Sequence, residues 1–156
     1  MNRLKNLTIA IFVSPEFLGF LCVLTFVIFA PEKASNIGEA IRSDEDVWKY
    51  LPALTLIFAG ATINYSFKLR APLEAPTNKV LYHWPLYQIL VDRVYISLFY
   101  GVCSGIASIT LWFLGRQLEA HHVAFIFLTA TLISGLTALT MLLAIQKLKE
   151  ILTANI

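Results

Sequence analysis

His121 and His122 are the residues whose type most directly invites chemistry, either metal ligation or a proton switch near neutral pH. Neighbouring side chains on one helix or strand point in different directions, and no Cys or carboxylate is expected at ligand spacing. The pair therefore reads as two interfacial histidines, and no metal is expected. Cys22 and Cys103 fall in separate apolar runs, where they behave as small apolar residues rather than as a disulfide pair. Glu16 is the one carboxylate inside an apolar run. It follows Ser14 and Pro15, a sequence that suits a helix start: Ser as N-cap, Pro at the first helical position, and a carboxylate facing the positive end of the helix dipole. A cap is its expected role, and a pore lining is the alternative. Asn64 lies in another apolar run and is expected to hydrogen-bond between helices, with the same alternative. Thr55, Thr62, Thr110, Thr129, Thr131, Thr137 and Thr140 can bond back to carbonyls of their own helix. No Ser/His/Asp or Cys/His set converges, and no HExxH, GxSxG or phosphate loop is present. No catalytic residue, cofactor or enzyme activity is expected.

The elements that carry these residues follow from composition. Of 156 residues, 58% are hydrophobic and 14% charged, and the mean hydropathy is +0.71. Soluble domains carry about 25% charged residues, so a water-soluble enzyme, a disordered tail and a disulfide scaffold all fit poorly. A net charge of +2 gives no reason to expect a nucleic-acid partner. Apolar runs of about 18 or more residues with few charges point to membrane helices. The expected architecture is an all-α, four-transmembrane-helix bundle forming one membrane domain over 1–156, with the lipid bilayer as its solvent. Its spans lie at about 9–30, 50–69, 94–115 and 123–145. Residues 31–49 form an outer loop, with a short helical turn over Ser35 to Ile41. Residues 66–93 form a cytoplasmic connection. In the first span two readings stand: one helix from about Ile9 to Ala30, or a spanning helix Pro15–Ala30 preceded by a separate interfacial helix over residues 2–13, anchored by Arg3 and Lys5.

The cytoplasmic side should hold the excess of Lys and Arg. With four spans, the side bearing both termini carries eight (Arg3, Lys5, Lys68, Arg70, Lys79, Arg93, Lys147, Lys149) against four opposite (Lys33, Arg42, Lys49, Arg116). Both termini are therefore expected in the cytoplasm. Asp44, Glu45 and Asp46 should open the second span, and the short segment Arg116 to His122 forces the last two spans into a hairpin.

The inner connection holds the most unusual composition. Pro72 and Pro76 interrupt it, and Lys79, Leu81, Tyr82, Trp84 and Tyr87 then form an aromatic, basic stretch outside any span. Such surfaces suit protein partners, so these residues are expected to dock a cytoplasmic protein, with interfacial packing as the alternative. Pro85 can begin a helix that runs into the third span, with Asp92 and Arg93 marking its entry into the membrane. Ser97, Gly101 and Gly105 repeat every four residues in the third span, and Ala130, Ser134 and Ala138 do so in the fourth. Small residues at this interval let helices approach closely. These two rows are expected to meet, or one of them to serve a homo-oligomer.

The sparse charge at bilayer depth favours a non-catalytic subunit that anchors, and signals to, a cytoplasmic partner. The alternative is an oligomeric small channel, pore or transporter. In size, span count and the segment Lys79–Arg93, the layout resembles the small four-span membrane subunits of bacterial anti-phage systems of the Kiwa type. That resemblance implies a bacterial inner-membrane location and an envelope-sensing role beside a cytoplasmic partner.

Overall fold

A computed structural model describes residues 8–70 and 87–154. Every element among them is helical, and no strand is present among the described residues. In chain order these are α1 (Pro15–Phe29), α2 (Pro31–Ser43), α3 (Glu45–Arg70), α4 (Tyr87–Leu114), a single 3-10 turn (Gly115–Gln117) and α5 (Ala120–Ala154).

The start of α1 follows local chemistry. Ser14 is extended, and its hydroxyl accepts a hydrogen bond from the Phe17 amide at 3.2 Å, with Pro15 in the first helical turn. Residues 8–12 form a separate helical segment that ends at Val13. The break before Pro15 is thus that of the second reading, and a continuous 9–30 helix is not formed; residues 2–7 of its interfacial helix lie outside the described residues. α1 has 15 residues, about 22 Å of helix, against a hydrocarbon core of about 30 Å.

At Ala30–Pro31 the helix axis turns by 105°. Pro31 lacks the amide that would continue the α1 ladder, and its ring disfavours helical geometry at Ala30, which sits at φ −134° and ψ 56°. The proline then occupies the opening turn of α2, where its fixed φ is favourable. The expected polar loop over 31–49 is therefore corrected: it holds a 13-residue amphipathic helix and the start of α3. Ala34, Gly38 and Ile41 form the buried face of α2, while Glu32, Lys33 and Glu39 are exposed. The period of Ala34, Ile37, Gly38 and Ile41 is that of one helix face. Asp44 then caps α3, its carboxylate accepting from the Asp46 and Val47 amides at 3.0 Å each.

Among the described residues, two helices are long and apolar enough to cross a membrane, Tyr87–Gln117 and Ala120–Ile151. A third span exists if the bent α1–α2 pair is one broken crossing. α3, with 26 residues, is long enough, but Pro52, Asn64 and its small and hydroxylated residues leave it outside that set. The described elements are thus all helical, and these two or three long apolar helices suggest a membrane protein.

α5 packs against each of the other four helices. At the end of the bundle that holds the α4–α5 turn, Ile41, Trp48, Leu51, Leu111 and Val123 form a buried cluster. At the far end, Leu69, Val94, Met141, Ile145 and Leu148 form another. These levels make α3, α4 and α5 successively antiparallel. A third cluster of Ile96, Tyr100 and Ile133 seats Ile11, Phe17 and Phe20 from the N-terminal region.

The small-residue rows pack differently from expectation. The nearest neighbour of a Cβ placed on Gly101 would be Thr62 Cγ2 at 4.0 Å, and on Gly105, Leu56 Cδ2 at 3.7 Å. Both neighbours belong to α3, so the glycines face α3 and not the next span. On α5, Ala130, Ser134 and Ala138 are buried, and the adjacent Gly135 faces Phe58 of α3. Side chains of α3 face the notches that small residues leave on both α4 and α5, and a cavity of about 290 Å³ lined by Leu56, Thr62, Gly101 and Gly105 stays open between α3 and α4. Thr62 stands at the junction: its hydroxyl lies 2.9 Å from its own helix carbonyl at Phe58 and 3.3 Å from Thr137 Oγ1.

Arg42, in the last turn of α2, locks the other end of the bundle. Its Nη2 donates to the Gly115 carbonyl at 3.5 Å and to the Leu118 carbonyl. Both acceptors belong to the turn joining α4 to α5. Replacing Arg42 with Ala is expected to lower stability by about 1.5–3 kcal/mol, the range for hydrogen bonds from a charged donor. Arg42→Lys should recover only part of this, because an ammonium lacks the planar fork. Denaturant titration of the three proteins in detergent checks both values.

Candidate functional site

The most distinctive polar arrangement joins three helices near the far end of the bundle. Glu16, in the first turn of α1, is fully buried, and Arg93 on α4 is 23% exposed. Arg93 Nη1 donates to Glu16 Oε2 at 3.0 Å, and Nη2 donates to Glu16 Oε1. Two parallel bonds from a planar guanidinium form the strongest arrangement open to such a pair. Thr140 on α5 accepts from Arg93 Nη2 at 2.6 Å. The single hydroxyl proton of Thr140 has two acceptors in reach, Glu16 Oε1 at 3.2 Å and the Thr137 carbonyl at 3.1 Å.

Each partner is held by a separate local device. Ser14 supplies the helix cap, which frees the Glu16 carboxylate to turn toward α4. Tyr100, two turns further along α4 from Arg93, donates from its hydroxyl to the Ile11 carbonyl at 3.1 Å, pinning the segment before Ser14. Beside Arg93, Gln88 Nε2 donates to Asp92 Oδ1 at 3.0 Å, one turn apart on α4. A cleft of about 500 Å³ opens here, lined by Ser14, Gln88, Asp92, Arg93 and Thr140 together with apolar side chains.

This arrangement works as a clasp. Both carboxylate oxygens of Glu16 are engaged, so the group is not presented as a base or nucleophile. Two charges withdrawn from water are tolerated only when paired and hydrogen-bonded, which ties α1 to α4 and α5. Sequence reasoning placed Ser14 as the N-cap and Glu16 in the first turn, as found, but gave Glu16 a capping role where the carboxylate instead pairs across to α4. It placed Arg93 as a marker of membrane entry and missed their pairing. The available signal was the presence of opposite charges beside two different apolar runs, since charged groups at membrane depth pair with one another.

The other candidate residues are placed as follows. Asn64 lies on an exposed face of α3 rather than between helices, so its expected interhelical role is not formed. Lys79, Leu81, Tyr82 and Trp84 lie outside the described residues. Tyr87 is half-buried and packs against the far-end cluster of Leu69, Val94 and Met141. Cys22 and Cys103 are both exposed and unpaired as thiols. His121 and His122 do have a carboxylate at ligand spacing, contrary to expectation: Glu119 lies with them at the start of α5.

No protein-family model, curated protein or solved structure matches the chain. The functional reading therefore rests on the side chains themselves.

Proposed function

We propose that this chain is a non-catalytic integral membrane subunit that holds a cytoplasmic protein partner and signals to it. In this reading it crosses a bacterial inner membrane four times, with α3 as a full span and both termini in the cytoplasm. The observation that supports it best is the course of α5. This one helix touches α2 and the Arg42-clamped turn at one end and the Glu16–Arg93–Thr140 clasp at the other. Roughly 20 residues, or about 30 Å of helix, separate the two, close to the thickness of a hydrocarbon core. A change at the outer helix α2 thus has a rigid, continuous route to the inner edge. The clasp also argues against a conducting role, because Glu16, the carboxylate inside the first apolar run, is fully engaged by Arg93 and Thr140.

In sequence, the aromatic, basic stretch at 79–87 immediately precedes the α4 segment that carries Arg93, and it is the proposed docking surface. The setting is that of the Kiwa-type subunits the layout resembles, with α2 meeting a signal at the envelope. Co-purification in mild detergent tests the docking role. Tagged wild type should retain a cytoplasmic protein in fixed ratio, and a Tyr82→Ala, Trp84→Ala, Tyr87→Ala variant should lose it. Equal recovery with both proteins would remove the docking role from this stretch.

A further inference from the structure

We infer that the turn between α4 and α5 binds a divalent transition-metal ion, Zn²⁺ in the first instance, through Glu119, His121 and His122. One potential ligand atom from each of these residues lies within 4.8 Å of the other two. Two imidazoles and one carboxylate form a ligand set that suits Zn²⁺ with a fourth position open to water. Hard cations such as Ca²⁺ and Mg²⁺ prefer sites made wholly of oxygen.

The convergence has a backbone cause. Glu119 precedes α5, and its carbonyl accepts from the His122 amide at 3.0 Å and the Val123 amide at 3.1 Å. Because Glu119 stands at the helix boundary, its side chain is free of the 100° spacing that separates neighbours within a helix. The carboxylate returns over the first turn, placing Glu119 Oε2 3.5 Å from His121 Nδ1. The two imidazole rings lie with centroids 4.0 Å apart and planes inclined by 37°. A simple His–Glu ion pair accounts for the first of these contacts, but it does not account for His122 closing on the same point.

The platform beneath is fixed. Arg42 holds the Gly115 and Leu118 carbonyls, and Gly38 of α2 packs against the Ala120 backbone. The ligands themselves are open to solvent, with Glu119 77% and His121 34% exposed. An ion can therefore enter without unfolding anything. Once bound, it would join Glu119 to His122 across the helix boundary and stiffen the turn on which α2 rests.

Calorimetric titration with ZnCl₂ tests the site, using the full chain purified in detergent through a tag without histidine and stripped with chelator. Wild type should take up one Zn²⁺ per chain in a saturable manner, and the ion should raise its melting temperature, as any ligand of the native state does. His122→Ala and Glu119→Gln should each weaken binding by more than about tenfold, a loss that even outer-shell partners of a metal site can produce. His83→Ala removes the remaining histidine of the chain and should bind as wild type does. Glu119 and His122 are exposed, so their variants should fold. Absence of saturable binding, equal affinity in His122→Ala and Glu119→Gln, or loss of binding in His83→Ala would each overturn the assignment.

Discussion

Arg93→Ala is expected to destabilise the folded chain by about 3–5 kcal/mol, the usual consequence of leaving one buried charge without its partner. The substitution removes both charged donors to Glu16 and leaves a carboxylate with no exposed surface, whose remaining partners, the Thr140 and Ser14 hydroxyls and its own backbone amide, are all neutral. Glu16→Ala should cost less. The orphaned guanidinium is 23% exposed beside the cleft lined by Ser14 and Asp92, where water can reach it. The paired replacement Glu16→Met with Arg93→Met should recover most of the loss, because volume is kept and no charge remains to be desolvated. Unfolding titrations of wild type, Glu16→Met, Arg93→Met and the double variant in mixed micelles give the coupling energy directly. Additive effects of the two substitutions would show that the clasp does not act as a unit.

Gly38→Val should release α2 from α5. A Cβ at this position would collide with the Ala120 carbonyl, and its next two contacts are also backbone atoms of Ala120. Backbone cannot rotate aside as a side chain can, so the helices must separate. Overpacking alone typically costs about 1–3 kcal/mol, and the contacts of Ala34, Ile37 and Ile41 would be weakened with it. Faster amide exchange and earlier proteolysis within Pro31–Ser43 are the expected signatures. Gly60 provides the internal contrast. A Cβ there meets nothing within 4 Å, and Gly60→Ala should be neutral or stabilise by up to about 1 kcal/mol through helix propensity. Similar exchange rates for α2 in wild type and Gly38→Val would refute the close contact.

These two sites also show where sequence reasoning stops. Local signals were readable: Ser14-Pro15-Glu16 marks a helix start, Asp44 caps the next long helix, and the short segment after Leu114 forces a hairpin. Each depends on residues a few positions apart. The helix over Pro31–Ser43 was read largely as loop because its composition is polar. Its apolar face is only one residue wide per turn, and its value appears only when α5 lies beneath it. The pairing of Glu16 with Arg93 spans 77 residues, and no periodicity reports such a distance. The same limit explains the glycines. Sequence shows that Gly101 and Gly105 make a notch, but the depth and tilt of α3 decide that Thr62 and Leu56 face it. Glu119 was overlooked beside His121 and His122 because the divergence of neighbours on a regular helix or strand was applied to a helix boundary, where the Glu119 side chain can return over the first turn.

The proposed function depends on which parts of the chain face the cytoplasm, and site-directed thiol labelling measures that most directly. Cys22 and Cys103 are first replaced by Ala, and one new cysteine is introduced at a time through Asn36→Cys on the exposed side of α2 or Lys79→Cys in the connection between α3 and α4. Whole cells with a permeable outer envelope are then treated with a membrane-impermeant maleimide. Labelling at position 36 in intact cells, and at position 79 only after the inner membrane is opened, is the result predicted for a four-span subunit that presents its aromatic connection to a cytoplasmic partner. Labelling at position 79 in intact cells would contradict it.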